Sequence, residues 1–229
     1  SPVCNAACLG CISLQAAECC PSPQSRIKFN PAPEEIAQIG IYHLSTASDA
    51  IVSFGQGCEG EPSLAADNIV PALRMIRNKT DKGQININTN AGFTEGIAKI
   101  TDAGLNSMRV SIISAVPENY KAYYRCSYDL SDVMESIIYA KKKGVYVSLN
   151  MLYFPGFNDS KSEAAAWRRF LRKCPVDMIQ VRNLNIDPDV FAATMPAFDQ
   201  ALGTKMFFGG LKGEFSSIEI GSFSHYQHI

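Results

Sequence analysis

Cys4, Cys8 and Cys11 are the residues whose type and spacing point most directly to chemistry. Three intervening residues and then two put three thiolates inside one short loop, close enough to wrap a single inorganic centre. The count of three is informative. A four-iron cubane held by three cysteines keeps one iron open to a small-molecule ligand, whereas structural metal sites normally close every position. Asn5, Ala6, Ala7 and Gly10 are small or polar, which lets backbone amides approach the sulfurs and tune the centre. Taken alone, the triplet also suits a zinc ion with Cys19 or Cys20 as fourth ligand.

The other cysteines sharpen this reading. Five of the eight fall in the first twenty residues, whereas a disulfide framework spreads its bridges along a small secreted chain. Clustering argues for metal, and the scattered Cys58, Cys126 and Cys174 read as packed free thiols in a reducing compartment, which the cytoplasm provides. The chain has 229 residues, 46% of them hydrophobic and 19% charged, enough for one folded domain spanning 1–229 with a sizeable core. A formal net charge of −1 gives no global field toward nucleic acid or membrane, and speaks against both as partners. No apolar run approaches the roughly 18 residues of a transmembrane helix, and no signal segment opens the chain. The chain starts at Ser1, without Met or a leading strand, so the native N-terminus is expected further upstream.

The elements that must position the cysteines follow from hydrophobic patterning. After a polar, Pro-rich stretch from Pro21 to Pro33, short β-rich runs alternate with helical segments, the pattern of repeated βα units. Strands are expected at Ala50–Gly55, Gln84–Thr89, Ser107–Ile113, Val145–Tyr153, Val176–Leu184 and Ile218–Ser222. Pro33 followed by Glu34 and Glu35 suits a helix first turn, Asp132 with Glu135 resembles a capping box, and Lys141–Lys143 before Gly144 reads as a helix end. Six such steps indicate an α/β fold, a partial (β/α)6 TIM-like barrel of parallel strands. Functional residues then belong at the C-terminal ends of the strands.

With the three-then-two cysteine spacing, several downstream segments resemble the radical S-adenosylmethionine (SAM) enzymes. Gly57-Cys58-Glu59-Gly60-Glu61-Pro62, after the first readable strand, is similar to that family's Gly-Glu-Pro segment at the end of its second strand. Asn88-Thr89-Asn90-Ala91-Gly92 resembles its Thr-Asn-Gly turn, Arg109-Val110-Ser111-Ile112 its fourth strand, and Val147–Asn150 leading to Pro155–Asn158 its fifth strand and following loop. The resemblance covers nearly the whole chain. It implies a [4Fe–4S] cluster on Cys4, Cys8 and Cys11, SAM as co-substrate, an electron donor such as flavodoxin or ferredoxin, and an unknown substrate that loses a hydrogen to a 5′-deoxyadenosyl radical. It further implies that Gly60 and Glu61 bind the SAM amino group, that Ser111 meets ribose or carboxylate, and that Arg125 clamps the carboxylate. Asn150 stands with the SAM contacts and, beside Gln180, Arg182 and Asn185, at a barrel mouth that reads substrate.

The chain departs from the family pattern at three points. Gly10 stands where an aromatic residue is usual, so adenine needs other support; Glu59 replaces the first Gly of Gly-Gly-Glu-Pro; and the strand that precedes the cysteine loop in the family is missing from the readable elements. Other features have plain structural readings. Gly60-Glu61-Pro62 alone is turn material, and Gln180 and Arg182 equally suit a solvated strand end. Cys19-Cys20 read as loop thiols, the Trp167-Arg168-Arg169 stretch with Arg172 and Lys173 as an outer helix face, and His43, His225 and His228 carry no role. Within 229 residues no C-terminal cysteine-rich domain or RNA-binding appendage is expected. The alternative of another class is a non-catalytic iron–sulfur or zinc-binding module on the same barrel.

Overall fold

A computed structural model describes residues 1–13, 26–55, 60–184 and 186–222. Six parallel strands form one open sheet whose spatial order is the chain order: β1 (Ile51–Phe54), β2 (Gln84–Thr89), β3 (Ser107–Ile112), β4 (Tyr146–Tyr153), β5 (Met178–Asn183) and β6 (Glu219–Gly221). The helices between them are α1 (Pro33–Thr46), α2 (Ala66–Arg77), α3 (Thr94–Asp102), α4 (Pro117–Tyr124), α5 (Leu130–Lys142), α6 (Lys161–Lys173), α7 (Pro188–Thr194) and α8 (Thr204–Glu214). This is the expected partial (β/α)6 barrel. Each expected strand is present, Gln84–Thr89 with the bounds read from sequence and the others shorter by a residue or more at one or both ends.

Each strand alternates between two unlike faces. Ile85, Ile87, Met108, Val110, Ile112, Val147, Leu149, Met151 and Ile179 face outward under the helices and are buried. The opposite, concave face carries Ser53, Asn86, Asn88, Ser107, Arg109, Ser111, Ser148, Asn150, Gln180 and Arg182, aligned strand to strand by the register. A closed barrel fills this side with branched apolar residues. Here the concave side is largely polar, with Leu152 and Met178 among its apolar members, and Asn86 ties β1, β2 and β3 together by donating to Ser53 Oγ (2.7 Å) and accepting from Ser107 Oγ (2.9 Å).

Helix ends follow local chemistry. Pro33 opens α1, and the Glu35 carboxylate accepts from the Ala32 N–H at 2.8 Å. At α5 the cap differs from the expected Asp132–Glu135 pair. The helix begins at Leu130, which is buried, and Asp132 reaches back to accept from the Asp129 N–H at 2.8 Å, so the cap sits three residues earlier. Gly144, at φ +82°, follows the lysines at the end of that helix. Within α6, Trp167 is fully buried, while Arg168 and Arg172 pair with Glu214 of α8 at 3.1 and 2.6 Å, as suits an outer face. Cys126 and Cys174 are buried free thiols. Gly57, Cys58, Glu59, Cys19, Cys20, Asn185, His225 and His228 lie outside the described residues. Among the described residues no helix is long and apolar enough to cross a membrane.

Glu163 joins α6 to the loop after β3. Its buried carboxylate accepts from Ser114 Oγ, from Asn119 Nδ2 at 2.8 Å and from the Ala115 N–H at 3.3 Å. Burial pushes this carboxyl above the usual range, against the pull of those hydrogen bonds. The folded state therefore keeps the proton to higher pH than the unfolded chain does. The resulting stability is full below the ordinary Glu value of about 4.3 and is lost as pH rises through the folded value. Urea unfolding should show wild-type stability falling from about pH 4 toward pH 7, and Glu163→Gln should flatten that fall. An unchanged slope in the variant would show that the titration lies elsewhere.

Candidate active site

The cysteine loop is seated on the end of a helix. The last carbonyls of α4 have no partner within the helix, and the loop supplies donors: the Ala7 N–H meets the Tyr124 carbonyl at 2.9 Å and the Leu9 N–H meets that of Tyr123 at 3.0 Å. Farther along, the Ser127 N–H donates to the Asn5 carbonyl at 3.3 Å. Arg125 closes α4 in the left-handed region at φ +46°, which turns the chain back toward the loop. Tyr120, Tyr123, Tyr124 and Tyr128 pack ring against ring beneath it.

The facing wall is built around Glu61. Its carboxylate is 3% exposed and accepts from the Ser63 N–H at 3.0 Å, from Thr89 Oγ1 at 2.5 Å and from the Asn90 N–H at 2.8 Å. One side chain thus binds the turn after β1 to the turn after β2. Burial pushes its carboxyl upward while the three hydrogen bonds pull it back. Asn90 extends the connection, its Nδ2 donating to Asn5 Oδ1 at 2.7 Å and pointing at Cys4 Sγ at 3.9 Å. The first residues of the chain run alongside: the Gly60 N–H donates to the Ser1 carbonyl (2.8 Å) and the Glu61 N–H to that of Val3 (2.7 Å).

Between these walls lies a cavity of about 220 Å³ at the C-terminal end of the strands. Cys4, Cys8 and Cys11 line it together with Gly60, Glu61, Asn90, Ser111, Tyr123, Tyr124, Leu152 and Arg26. Burial raises the Cys8 thiol to about 12 and pushes Cys4 upward. Cys11 goes the other way: burial would raise it, but hydrogen bonds from Ser13 and Arg26 lower it. Arg26 Nη2 points at Cys11 Sγ from 3.9 Å while its Nε donates to Ser13 Oγ at 2.9 Å.

This donor set fits an iron–sulfur cluster. Three thiols share one cavity wall, and two of the sulfurs face side-chain N–H groups of the kind that tune such centres. Among the described residues no three His, Cys, Asp or Glu side chains converge as the ligands of a single ion would.

Gly60, Glu61 and Ser111 therefore stand with the cysteines. Asn150 pairs with Ser111 in the β3–β4 register, Gln180 pairs with Asn150, and Arg182 pairs with the cavity residue Leu152, so these three continue the same face. Arg125 does not join them. It is the exposed cap of α4, its backbone committed to ending that helix, and the cation on the cavity wall is Arg26. No local pattern marks Arg26, which lies within the Pro-rich stretch from Pro21 to Pro33. Asn90 sits in a motif visible in the sequence, yet its link to Cys4 spans distant parts of the chain.

A model of the Radical SAM superfamily matches residues 1–167. The chain belongs to that family. Its members use a [4Fe–4S] cluster and SAM. The chain is 31% identical over 144 residues to a probable dual-specificity RNA methyltransferase RlmN from Chlorobium luteolum, covering 56% of this chain and 40% of that one. It is 33% identical over 105 residues to a GTP 3′,8-cyclase from Aquifex aeolicus, covering 44% and 32%. The chain thus spans well under half the length of these relatives. Among solved structures, methylornithine synthase (PylB) aligns with a TM-score of 0.62 at 16% identity over 96% of this chain and 61% of that one. Streptococcus suis SuiB bound to S-adenosylmethionine gives 0.66 at 13% over 99% and 49%. These two likenesses establish the radical SAM fold.

Gly60 has a checkable role here. A Cβ at this position would lie 2.0 Å from the Val3 carbonyl oxygen, so alanine must expel the Ser1–Val3 segment and its two hydrogen bonds. Gly60→Ala should cost about 1–3 kcal/mol in urea unfolding and strip exchange protection from the Gly60 and Glu61 amides. Retained protection would disprove the contact.

Proposed function

We propose that this radical SAM enzyme binds its [4Fe–4S] cluster on Cys4, Cys8 and Cys11, cleaves SAM reductively, and takes hydrogen from a substrate held on the concave face. The observation that supports this is the cavity shared by the three thiols with the Gly60–Glu61 segment, Asn90 and Ser111. When bound, the reduced cluster supplies one electron to the SAM sulfonium, giving methionine and a 5′-deoxyadenosyl radical that becomes 5′-deoxyadenosine on taking a hydrogen atom.

The residues of the chain bind, orient and shield. Glu61 Oε1 takes two protein donors and Oε2 one, which leaves an acceptor position on Oε2 for the SAM ammonium, a charge-assisted hydrogen bond. The Ser111 hydroxyl, which bonds no other described residue, is positioned for ribose or carboxylate. Arg26 takes the carboxylate-binding role expected of Arg125 and donates to the Cys11 sulfur. Tyr123 and Tyr124 give the cavity an aromatic wall beside Gly10, which has no side chain of its own to offer, and exclude water from a site where stray hydrogen donors would quench a radical. Flavodoxin or ferredoxin suits the electron-donor role, and buried free thiols suit a reducing cytoplasm.

Anaerobic reconstitution with iron and sulfide, then dithionite and SAM, tests the reading. Wild type should release 5′-deoxyadenosine and Cys8→Ala none above background; a well-loaded wild-type cluster that releases none would make the site a structural one. Arg26→Gln should move the cluster midpoint to more negative potential in an EPR redox titration, because a cationic N–H near a ligand sulfur favours the reduced state, with Arg26→Lys intermediate. Equal midpoints in all three proteins would remove Arg26 from this role.

A further inference from the structure

Among the described side chains that line the cysteine cavity, only Tyr124 carries a buried polar atom without a hydrogen-bond partner. Its hydroxyl is cut off from solvent, and the residue is 2% exposed. Tyr124 closes α4, so its own N–H lies inside the helix, and its carbonyl is held by the Ala7 N–H at 2.9 Å. The phenol is what this residue has left to offer the cavity. Its ring is fixed, stacking on Tyr120 at a centroid distance of 4.4 Å and meeting Tyr123 edge-on at 5.0 Å. A ring packed on two sides cannot swing its hydroxyl out to water. A phenol, with an ordinary pKa of about 10, keeps its proton near neutral pH and remains a hydrogen-bond donor. A donor left unpaired in the interior is costly, and native structures rarely keep one without a reason.

The sulfurs show where a donor is called for. Asn90 Nδ2 points at Cys4 Sγ and Arg26 Nη2 at Cys11 Sγ, each from 3.9 Å. Cys8 Sγ meets no side-chain donor among the described residues. The residue just before it, Ala7, is the one that the Tyr124 carbonyl holds, which seats the tyrosine against this part of the loop.

We propose that the Tyr124 hydroxyl is the third side-chain donor of the site, bonding a sulfur on the Cys8 side of the [4Fe–4S] cluster and stabilising the cluster's reduced state. This rests on the radical SAM reading, and it names a residue outside both the cysteine motif and the SAM-binding segments. An O–H dipole aimed at sulfur offsets the negative charge that a cluster gains on reduction, so it raises the midpoint potential. The same bond removes the cost of a buried, unpaired hydroxyl, which couples cluster uptake to the packing of α4.

An EPR redox titration of reconstituted wild type, Tyr124→Phe and Tyr120→Phe, carried out without SAM, tests it. Tyr124→Phe keeps the ring and loses only the hydroxyl, and its midpoint should move to more negative potential than that of wild type. Tyr120→Phe makes the same change in the same stack, one helical turn away, where the hydroxyl already bonds Tyr128 at 3.4 Å; it should titrate as wild type does. Melting of the cluster-free proteins gives a second readout. With no cluster sulfur to meet, the hydroxyl is a burden, so cluster-free Tyr124→Phe should melt about 2–4 °C above wild type, and the loaded variant should lose that advantage. Equal midpoints in wild type and Tyr124→Phe overturn the proposal, and so does an equal shift in Tyr120→Phe. If Tyr124→Phe takes up no cluster, the melting decides: a variant that melts below cluster-free wild type shows a hydroxyl already serving the fold and overturns the proposal, whereas one that melts above it supports the proposal. A wild type that takes up no four-iron cluster sinks the radical SAM reading of the site and this proposal with it; a loaded wild type whose midpoint the Tyr124 variant shares sinks this proposal alone.

Discussion

A carboxylate taken out of water must be met by protein donors or the fold pays several kcal/mol for it. Glu61 is met by two backbone amides and a hydroxyl, and those donors belong to two different turns. Satisfying one buried group therefore fixes the end of β1 against the end of β2. Asn90, held by that same carboxylate through its backbone, carries the constraint to Asn5 and the Cys4 sulfur. The position of the first cysteine is thus set from the sheet, not from the loop's own conformation. The second and third cysteines are set from the other side, where the loop completes the hydrogen bonding of α4.

The turn after β2 is under strain. Ala91 adopts φ +56°, a conformation that costs a residue with a Cβ about 1–2 kcal/mol. Its carbonyl accepts from the buried Ser136 hydroxyl at 2.7 Å, its N–H donates to Thr89 Oγ1, and Gly92 beside it sits so close to the Tyr128 ring that a Cβ would overlap the ring carbons. Packing on one side and Glu61 on the other hold the backbone where local preference would not. Rigidity is what this position demands, because the turn lies between the sheet and the sulfur-bearing loop.

The sheet was legible in the sequence because alternation leaves a period of two in the residues themselves, and Ile85, Ile87 against Asn86, Asn88 is a clear instance. The cysteine triplet and the Gly60-Glu61-Pro62 segment were legible because their spacing is local. What escaped was the chemistry made by distant partners. Arg26 reaches Cys11 from within the Pro-rich stretch, and Tyr123 meets Leu9 only after the chain has passed through three strands. Arg125 was misread for the same reason: closeness in sequence to β3 suggested the site, while the turn needed to end α4 carried it to solvent. The cap of α5 was placed three residues late because the burial of Leu130, which decides where that helix starts, is a tertiary fact.

Strand order that repeats chain order has a kinetic side. Each strand pairs with the strands next to it in sequence, so a growing chain finds the edge it needs already made. The cysteine loop breaks this economy. Synthesised ahead of β1, it cannot dock until α4, which follows β3, has emerged to offer its carbonyls. The cysteine loop, which precedes every strand of the sheet, is in this sense seated later than the first strands, and its thiols stay open to an incoming cluster for as long as that takes.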